Sequence, residues 1–472
     1  MSDYIFKSSL NPGKIFILQK KEVIKRLDPA FYYELLNNKF DFSHPTKTIS
    51  RIVKCYSGGT PNKSVAEYWD GEICWASPKD MKDFYLTNTE DKITMEGVEN
   101  SATYLAPVGS ILIVFRSGIL QHTLPVSVTK VETTINQDLK VLVPSDEILP
   151  EYLATFLKTF EKRILPRIVK HSTTVQSINQ EEFNQLTIPI PPIGIQKKII
   201  DINKNSLSQK QKNEAEAQKL LSSIDDYLLK ELGIILPTPS ENNLKSRIFK
   251  SSINKLTGNR YDPFYHQSYF VNIFNAINNS TYQVVPLKKA IFNFVKGVEV
   301  GSAEYLTEGI SFVRVADITD FAVNVESADK KISKTLYAEL EKNYKPKIGE
   351  ILYSKDGTIG FCVIVEKEED YILSSGILRI NCNKGINNYF LKYILASKLY
   401  KQLADRVSIG TIIKHLTIED WLNIPIPIPP PSKQKEIAEH ITEIRQQAQQ
   451  LKDKTKDLLK KASEEIEEIL LN

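Results

Sequence analysis

Short apolar runs alternate with polar turns along most of the chain, and twice the pattern gives way to a long amphipathic stretch. The runs "SILIVF", "LKVLVP", "EILYS", "CVIVE" and "ILRINCN" are rich in Val, Ile and aromatics and bounded by Gly, Asp or Pro, which predicts strands. Apolar residues at helical spacing predict a helix at about 150–164 and another at about 388–406. Two Ile/Pro runs, "LTIPIPPIGIQKKI" (186–199) and "LNIPIPIPPPSKQKEI" (422–437), must be extended, because proline fixes φ and disfavours helix in the residue before it. Each then releases the chain into a long charged helix. Ser432 is the expected N-cap of the second, and the first is expected to stop near Gly233.

The faces of these helices differ. In the second, Ile437, Ile441, Ile444, Ala448, Leu451, Thr455, Leu458, Ala462 and Ile469 follow a 4-3 spacing with one gap. In the first, Ile200, Leu207, Ala217, Leu221, Ile224 and Leu228 fit that register, but Asn203, Lys210 and Glu214 interrupt it. Heptads of this length favour a coiled coil, and two equivalent helices in one chain can pair with each other, with the two domains at opposite ends if they run antiparallel.

The paired Ile/Pro runs belong to a larger repeat. "FKSSLN" (6–11) returns as "FKSSIN" (249–254), "RLDPAFYY" (26–33) as "RYDPFYHQ" (260–267), and "VGSILIVFRSGI" (108–119) aligns with "IGEILYSKDGTI" (348–359). The offset drifts only from 243 residues (Phe6 to Phe249) to 238 (Gln196 to Gln434). Ordered echoes at near-constant offset indicate a tandem duplication whose unit is a domain plus a helix. The expected fold is α+β, with two duplicated mixed α/β domains separated by the two long helices. Residues 1–25 form a segment echoed by 246–259; the first domain is 26–192, the first long helix 193–235, a linker 236–259, the second domain 260–431 and the second long helix 432–472.

Composition narrows the chemistry. The 472 residues have the 42% hydrophobic and 25% charged content of a globular protein, and no apolar run is long enough to cross a membrane. Four cysteines without a CxxC pair fit a reducing cytosol, and a formal charge of +4 permits nucleic-acid binding without arguing for it. No phosphate loop, glycine-rich cofactor turn or HExxH spacing is present, so no catalytic residue, cofactor or metal site is assigned. "YDPFY" (261–265) reads as a turn leading into a helix, and Trp69 and Trp75 as core packing, since Leu306 and Phe312 replace them in the second copy.

The polar loops carry more. "YSGGTPNKS" (56–64) and "VKGVEVGS" (295–302) offer Thr60, Lys63 and Lys296, and "AEYLTEGISFVRVADI" (303–318) offers Arg314. "FRSGILQHT" (115–123) offers Arg116, Ser117 and His122; "SKDGTIG" (354–360) offers Lys355, Asp356 and Thr358. "VKHSTTVQS" (169–177) brings Lys170, His171 and Ser172, and "SIGTIIKHL" (408–416) brings Lys414 and His415. Such side chains contact phosphates and read base edges, and they recur at matching places in both copies.

The Ile/Pro-to-helix pair, with "GEILYSKDGTIG" and "INQDLKVLVP", resembles the specificity subunits of Type I restriction–modification enzymes over essentially the whole chain. The resemblance implies a noncatalytic cytoplasmic subunit with two target-recognition domains, each reading half of a bipartite site in double-stranded DNA. It also implies paired helices that dock two methyltransferase subunits, with restriction or translocase subunits as further partners. S-adenosylmethionine, ATP and Mg²⁺ would then belong to those partners. The rival reading is an adaptor whose domains bind protein and whose coiled coil oligomerises.

Overall fold

The computed structural model describes residues 40–170, 175–238, 248, 250, 261–319 and 321–471. The expected N-terminal segment, most of the linker, His171 and Ser172 lie outside them. The chain divides into two compact units, Met1–Lys212 with Lys454–Asn472, and Asn213–Asp453.

The first unit holds a five-stranded sheet in the order Val53–Ser57, Leu139–Pro144, Ile111–Val114, Val126–Thr129, Tyr85–Leu86. A three-stranded sheet, Asp91–Ile93, Trp69–Ala76 and Thr133–Ile135, accompanies it. Every residue of the "ILIV" strand is buried, as expected of an apolar run covered on both faces. The second unit repeats the plan with a four-stranded sheet, Ile291–Lys296, Ile377–Cys382, Ile351–Ser354, Cys362–Ile364. Its three-stranded companion is Lys331–Ile332, Ile310–Val313, Tyr371–Leu373. The five strand-forming runs named from the sequence all lie in these sheets.

Each of the two expected short helices is a pair. Pro150–Thr159 breaks at Phe160 before Glu161–Ile168, and Asn388–Ala396 breaks at the extended Ser397 before Lys398–Arg406. Ser397 Oγ accepts from the backbone N–H of Tyr400, so the break in the second domain is a helix cap.

Both Ile/Pro runs are strands that zip the end of a domain to its beginning. Thr46–Thr48 pairs antiparallel with Thr187–Pro189, and Gln283–Pro286 with Pro425–Ile428. The register is the same in both: Lys47 faces Ile188, and Val285 faces Ile426. Ile188 and Ile426 are fully buried, while a two-stranded sheet is all edge and tolerates prolines that donate nothing.

The long helices follow at once, at Ile193–Glu231 and Pro431–Leu471. Ser432 is not the cap: the helix already begins at Pro431, and the Pro430 carbonyl accepts from Lys433 and Gln434 N–H. The Pro192 carbonyl does the same for Ile195 and Gln196. Proline suits this position because its missing N–H would have no helical partner.

One turn in, the repeated glutamine is buried in both copies (Gln196 0%, Gln434 1% exposed). Gln196 Oε1 accepts from Leu149 N–H (2.9 Å), and its Nε2 donates to the carbonyls of Glu147 (3.0 Å) and Pro191 (2.9 Å). Gln434 Oε1 accepts from Asn387 N–H (2.9 Å), and its Nε2 donates to Gly385 (3.2 Å) and Pro429 (2.8 Å). Leu149 and Asn387 are the N-cap residues of the helices Pro150–Thr159 and Asn388–Ala396. A single amide therefore joins the long helix, the end of the Ile/Pro run and a domain helix.

Each long helix contributes one end to each unit. In the first unit Ile199 shares a core with Ile466 and Leu470, and Arg163 pairs with Glu467 at 2.8 Å. In the second, Leu228 shares a core with Ile437 and Ile441, Lys433 Nζ lies 2.6 Å from Glu231, and Tyr227 packs on His440 with ring centroids 4.3 Å apart. Ile444 is buried, and Leu451 and Leu458 are half-buried. The seam of the first helix differs from the register read from sequence. Its buried positions include Ile199, Ser206 and Asn213, one residue ahead of Ile200, Leu207 and Glu214, followed by Ala217 and Leu228. Ile200, Leu207, Leu221 and Ile224 are half-buried. Small and polar side chains occupy the seam there, which is why an apolar-only pattern misplaced it.

Replacing Gln434 by Ala should destabilise the second unit by ~3 kcal/mol in urea unfolding, since a buried N–H and two carbonyls lose their partner. The Asn387 amide should also exchange faster with solvent. A change below about 0.5 kcal/mol, the size of an ordinary surface substitution, would mean the clamp is not under load.

Candidate nucleic-acid interface

In each domain four loop segments meet at one place, and the same backbone bonds hold them. The first is glycine-dependent. A Cβ on Gly58 would lie 2.3 Å from the Ile135 carbonyl oxygen, and one on Gly297 would lie 2.2 Å from that of Ser374. The close approach lets Gly59 N–H donate to Ile135 (3.0 Å) and Val298 N–H to Leu373 (2.9 Å).

The facing turns, Ile135–Asp138 and Leu373–Gly376, hold the next segment. Phe115 N–H donates to Asp138 O (2.8 Å), and Lys355 N–H to Gly376 O (2.8 Å). That segment then zips onto a β-hairpin, Val169–Lys170 with Ser177–Ile178 in the first domain and Ser408–Ile409 with His415–Leu416 in the second. Ile178 N–H donates to Phe115 O (2.8 Å) and Leu416 N–H to Lys355 O (2.9 Å). Ser117 N–H donates to Gln176 O (3.0 Å) and Gly357 N–H to Lys414 O (2.8 Å). The hairpins close with the bridges Arg116–Ser177 and Asp356–His415.

This scaffold gathers most of the candidate side chains. In the first domain Thr60 Oγ1 donates to Gln137 Oε1 (2.6 Å), Arg116 and Lys170 are exposed, and Ser117 is half-buried and accepts from Ile119 N–H. Among the described residues no carboxylate pairs with the Arg116 guanidinium. In the second domain Lys355, only 8% exposed, is ion-paired with Asp356 Oδ2. Asp356 Oδ1 holds His415 Nδ1 at 2.9 Å, leaving the imidazole's far edge toward solvent. Lys414 is paired with Asp405, Thr358 is exposed, and Lys296 is exposed at the end of its strand. Arg314, paired with Asp329, adjoins the cluster: Ser374 N–H donates to Val313 O (2.9 Å), one residue before it.

Two candidates stand apart. Lys63 is exposed farther along its glycine-rich loop, and His122 is exposed beyond the short turn Gly118–Gln121. The structure also adds residues that the sequence did not single out: Gln137 and Asp138 in the first domain, Ser374 and Ser375 in the second. They lie on short turns between apolar strands, where an Asn/Gln/Asp or Ser pair is the available signal. Trp75 is core, 5% exposed with Nε1 donating to Gly59 O (3.1 Å), and so supports the glycine loop from beneath.

Chemically, the two clusters present guanidinium, ammonium, amide, hydroxyl and imidazole groups on fixed backbone, which suits phosphate oxygens and base edges. In the second domain carboxylates already neutralise Lys355, Lys414 and Arg314, so directed hydrogen bonds there outweigh bare charge.

The family model described as the Type I restriction modification DNA specificity domain matches this chain twice, at residues 45–221 and 265–461. The chain is 41% identical over 157 residues to the type I restriction enzyme EcoR124I/EcoR124II specificity subunit of Escherichia coli, a stretch covering 33% of this chain and 39% of that protein. It is 28% identical over 159 residues to the MjaIX specificity subunit of Methanocaldococcus jannaschii, covering 33% and 36% respectively. Both matches thus span well under half of the relatives' lengths. A solved chain, titled for complex assembly and conformational transition of the type I R-M system, shares the fold with TM-score 0.50 and 14% identity over 91% of this chain and 97% of that one.

Because a Cβ at Gly297 meets backbone, Gly297→Ala should destabilise the second unit by about 1–3 kcal/mol in thermal or urea unfolding. Gly301→Ala, which meets nothing within 4 Å, should stay within about 0.5 kcal/mol of wild type. Equal effects would show that the close approach is not what the loop requires.

Proposed function

The chain belongs to the type I restriction modification DNA specificity family, and from that premise we propose that it is the noncatalytic DNA-recognition subunit of such a complex. Each domain reads one half of a bipartite site in double-stranded DNA through its four-segment cluster. The observation that carries this reading is the repetition of the scaffold with different side chains. Arg116 and Ser177 stand where Asp356 and His415 stand in the second copy, on equivalent bridges, and Gln137 where Ser375 stands. One backbone with two sets of donors and acceptors is what reading two different half-sequences requires.

The long helices serve as the spacer and pair as an antiparallel coiled coil. At 1.5 Å per residue the 39-residue first helix is about 58 Å long. Their exposed faces dock methyltransferase subunits, two in number, and restriction or translocase subunits join through them. S-adenosylmethionine, ATP and Mg²⁺ are bound by those partners, and the complex works in the cytoplasm. Among the described residues no helix is long and apolar enough to cross a membrane.

Co-expression with the partner methyltransferase in a methylation-free host, followed by single-molecule sequencing, should reveal modified adenines in two short specified halves around a fixed gap. No modification, or a contiguous motif indifferent to this chain, would favour the protein-binding adaptor. Changing Lys355 and Lys414 to Met together should weaken binding about tenfold or relax one half only, since Asp356 and Asp405 lose the cations that pair them and Asp356 no longer holds His415 in the same setting. Equal loss at both halves would point to misfolding. Truncation before Leu451 should abolish partner assembly; retained assembly would count against the helix-docking account.

A further inference from the structure

The hairpin of the second domain carries an apolar tip that nothing in the recognition scheme has used. Val407 and Leu416 at its base are buried, at 2% and 7% exposure. Beyond them Ile409, Ile412 and Ile413 are 57%, 96% and 58% exposed. Single exposed apolar residues are ordinary, but three within five positions on one protruding turn mark a contact surface. In the first copy the aligned positions are His171, Thr174 and Val175, so a tip of three isoleucines is particular to the second reader.

Its surroundings identify the occupant. The tip is moored on the recognition loop by Gly357 N–H to Lys414 O and Leu416 N–H to Lys355 O, and His415, held by Asp356, flanks it. The ladder pairs Ser408–Ile409 with His415–Leu416, and the five residues Gly410–Lys414 close it, with Gly410 at φ +100°. A two-stranded ribbon fits the major groove of B-DNA, about 12 Å wide, and not the minor groove, about 6 Å wide. The apolar group that the major groove offers is the C5-methyl of thymine.

We propose that this hairpin enters the major groove of the second half-site and that Ile412 and Ile413 read a thymine methyl group there. The proposal rests on the DNA-recognition reading above. It makes the two halves differ in kind, since of the aligned first-copy positions only Val175 is apolar, while van der Waals contact with a methyl serves the second half.

The test uses the full chain assembled with its methyltransferase and duplexes bearing the mapped site. Each thymine of the second half is replaced singly by deoxyuridine, which removes only the methyl. At one or more positions the wild-type complex should bind about three- to tenfold more weakly, as expected for loss of one buried methyl. Uracil in the first half should have no such effect through this hairpin, and an Ile412→Ser, Ile413→Ser variant should bind thymine and uracil duplexes equally. Indifference of the wild-type complex to uracil throughout the second half, or a second half made of G·C pairs alone, would overturn the proposal. So would a rise in 2-aminopurine fluorescence at the tip together with indifference to uracil, since the isoleucines would then act as a wedge. If the variant fails to bind at all, the wild-type uracil scan decides alone. Failure of the complex to bind any specific site would instead remove the recognition reading itself.

Discussion

Everything on each domain hangs from one buried amide. Gln196 and Gln434 each sit one turn into a long helix, and each bonds the N-cap N–H of a domain helix, a carbonyl just before it and a carbonyl of the Ile/Pro run just past its strand. Glutamine is suited to this because one planar group donates twice and accepts, and its stem reaches across the strand. With the amide fully buried, rotation of the helix away from the domain would strand three backbone groups in a dry interior, a far larger loss than any single bond gains. The Ile/Pro strand adds a second constraint. It pairs with the first strand of the domain in identical register in both copies, so the chain enters and leaves each domain side by side. A reading head mounted this way has a fixed angle to its shaft.

The recognition scaffold follows the same logic of conserved backbone and free side chains. Its bonds run from N–H to carbonyl at every joint, and the glycines at 58 and 297 are required first by carbonyl oxygens, with the Ile135 side chain also close to Gly58. Residues facing outward can therefore change without disturbing the joints. Phe115 and Lys355 occupy equivalent joints, one apolar and one cationic, and both are buried. The lysine is tolerated because Asp356 neutralises it, and Asp356 in turn orients His415. A substitution in the first half of that relay would thus reposition the second.

Much of this was legible in the sequence, for identifiable reasons. A duplication at near-constant offset is a statement about order, which folding does not scramble, so the two-domain plan and the sheet-forming runs were readable. The Ile/Pro runs were readable as extended because proline leaves no alternative. The glutamine's role was not, since its three partners lie five residues away and nearly fifty residues away in sequence. Nor was the seam of the first long helix, where Ser206 and Asn213 are buried and an apolar template slides one residue off. The loop candidates were named from composition, but that Arg116 meets Ser177 and Asp356 meets His415 needed the hairpin pairing. Gln137 escaped notice because its only local signal is the Asn136-Gln137-Asp138 run, which marks a turn and not a partner.

The central claim is that each domain is an interchangeable reader on a common mount. A chain in which residues 284–427 replace residues 46–189 tests it most directly, because the two segments share strand register and clamp geometry. Expressed with the methyltransferase, that chain should modify a site whose two halves are both the original second half. A folded, assembled chain that keeps the original two-part motif, or that modifies no defined site, would contradict the account.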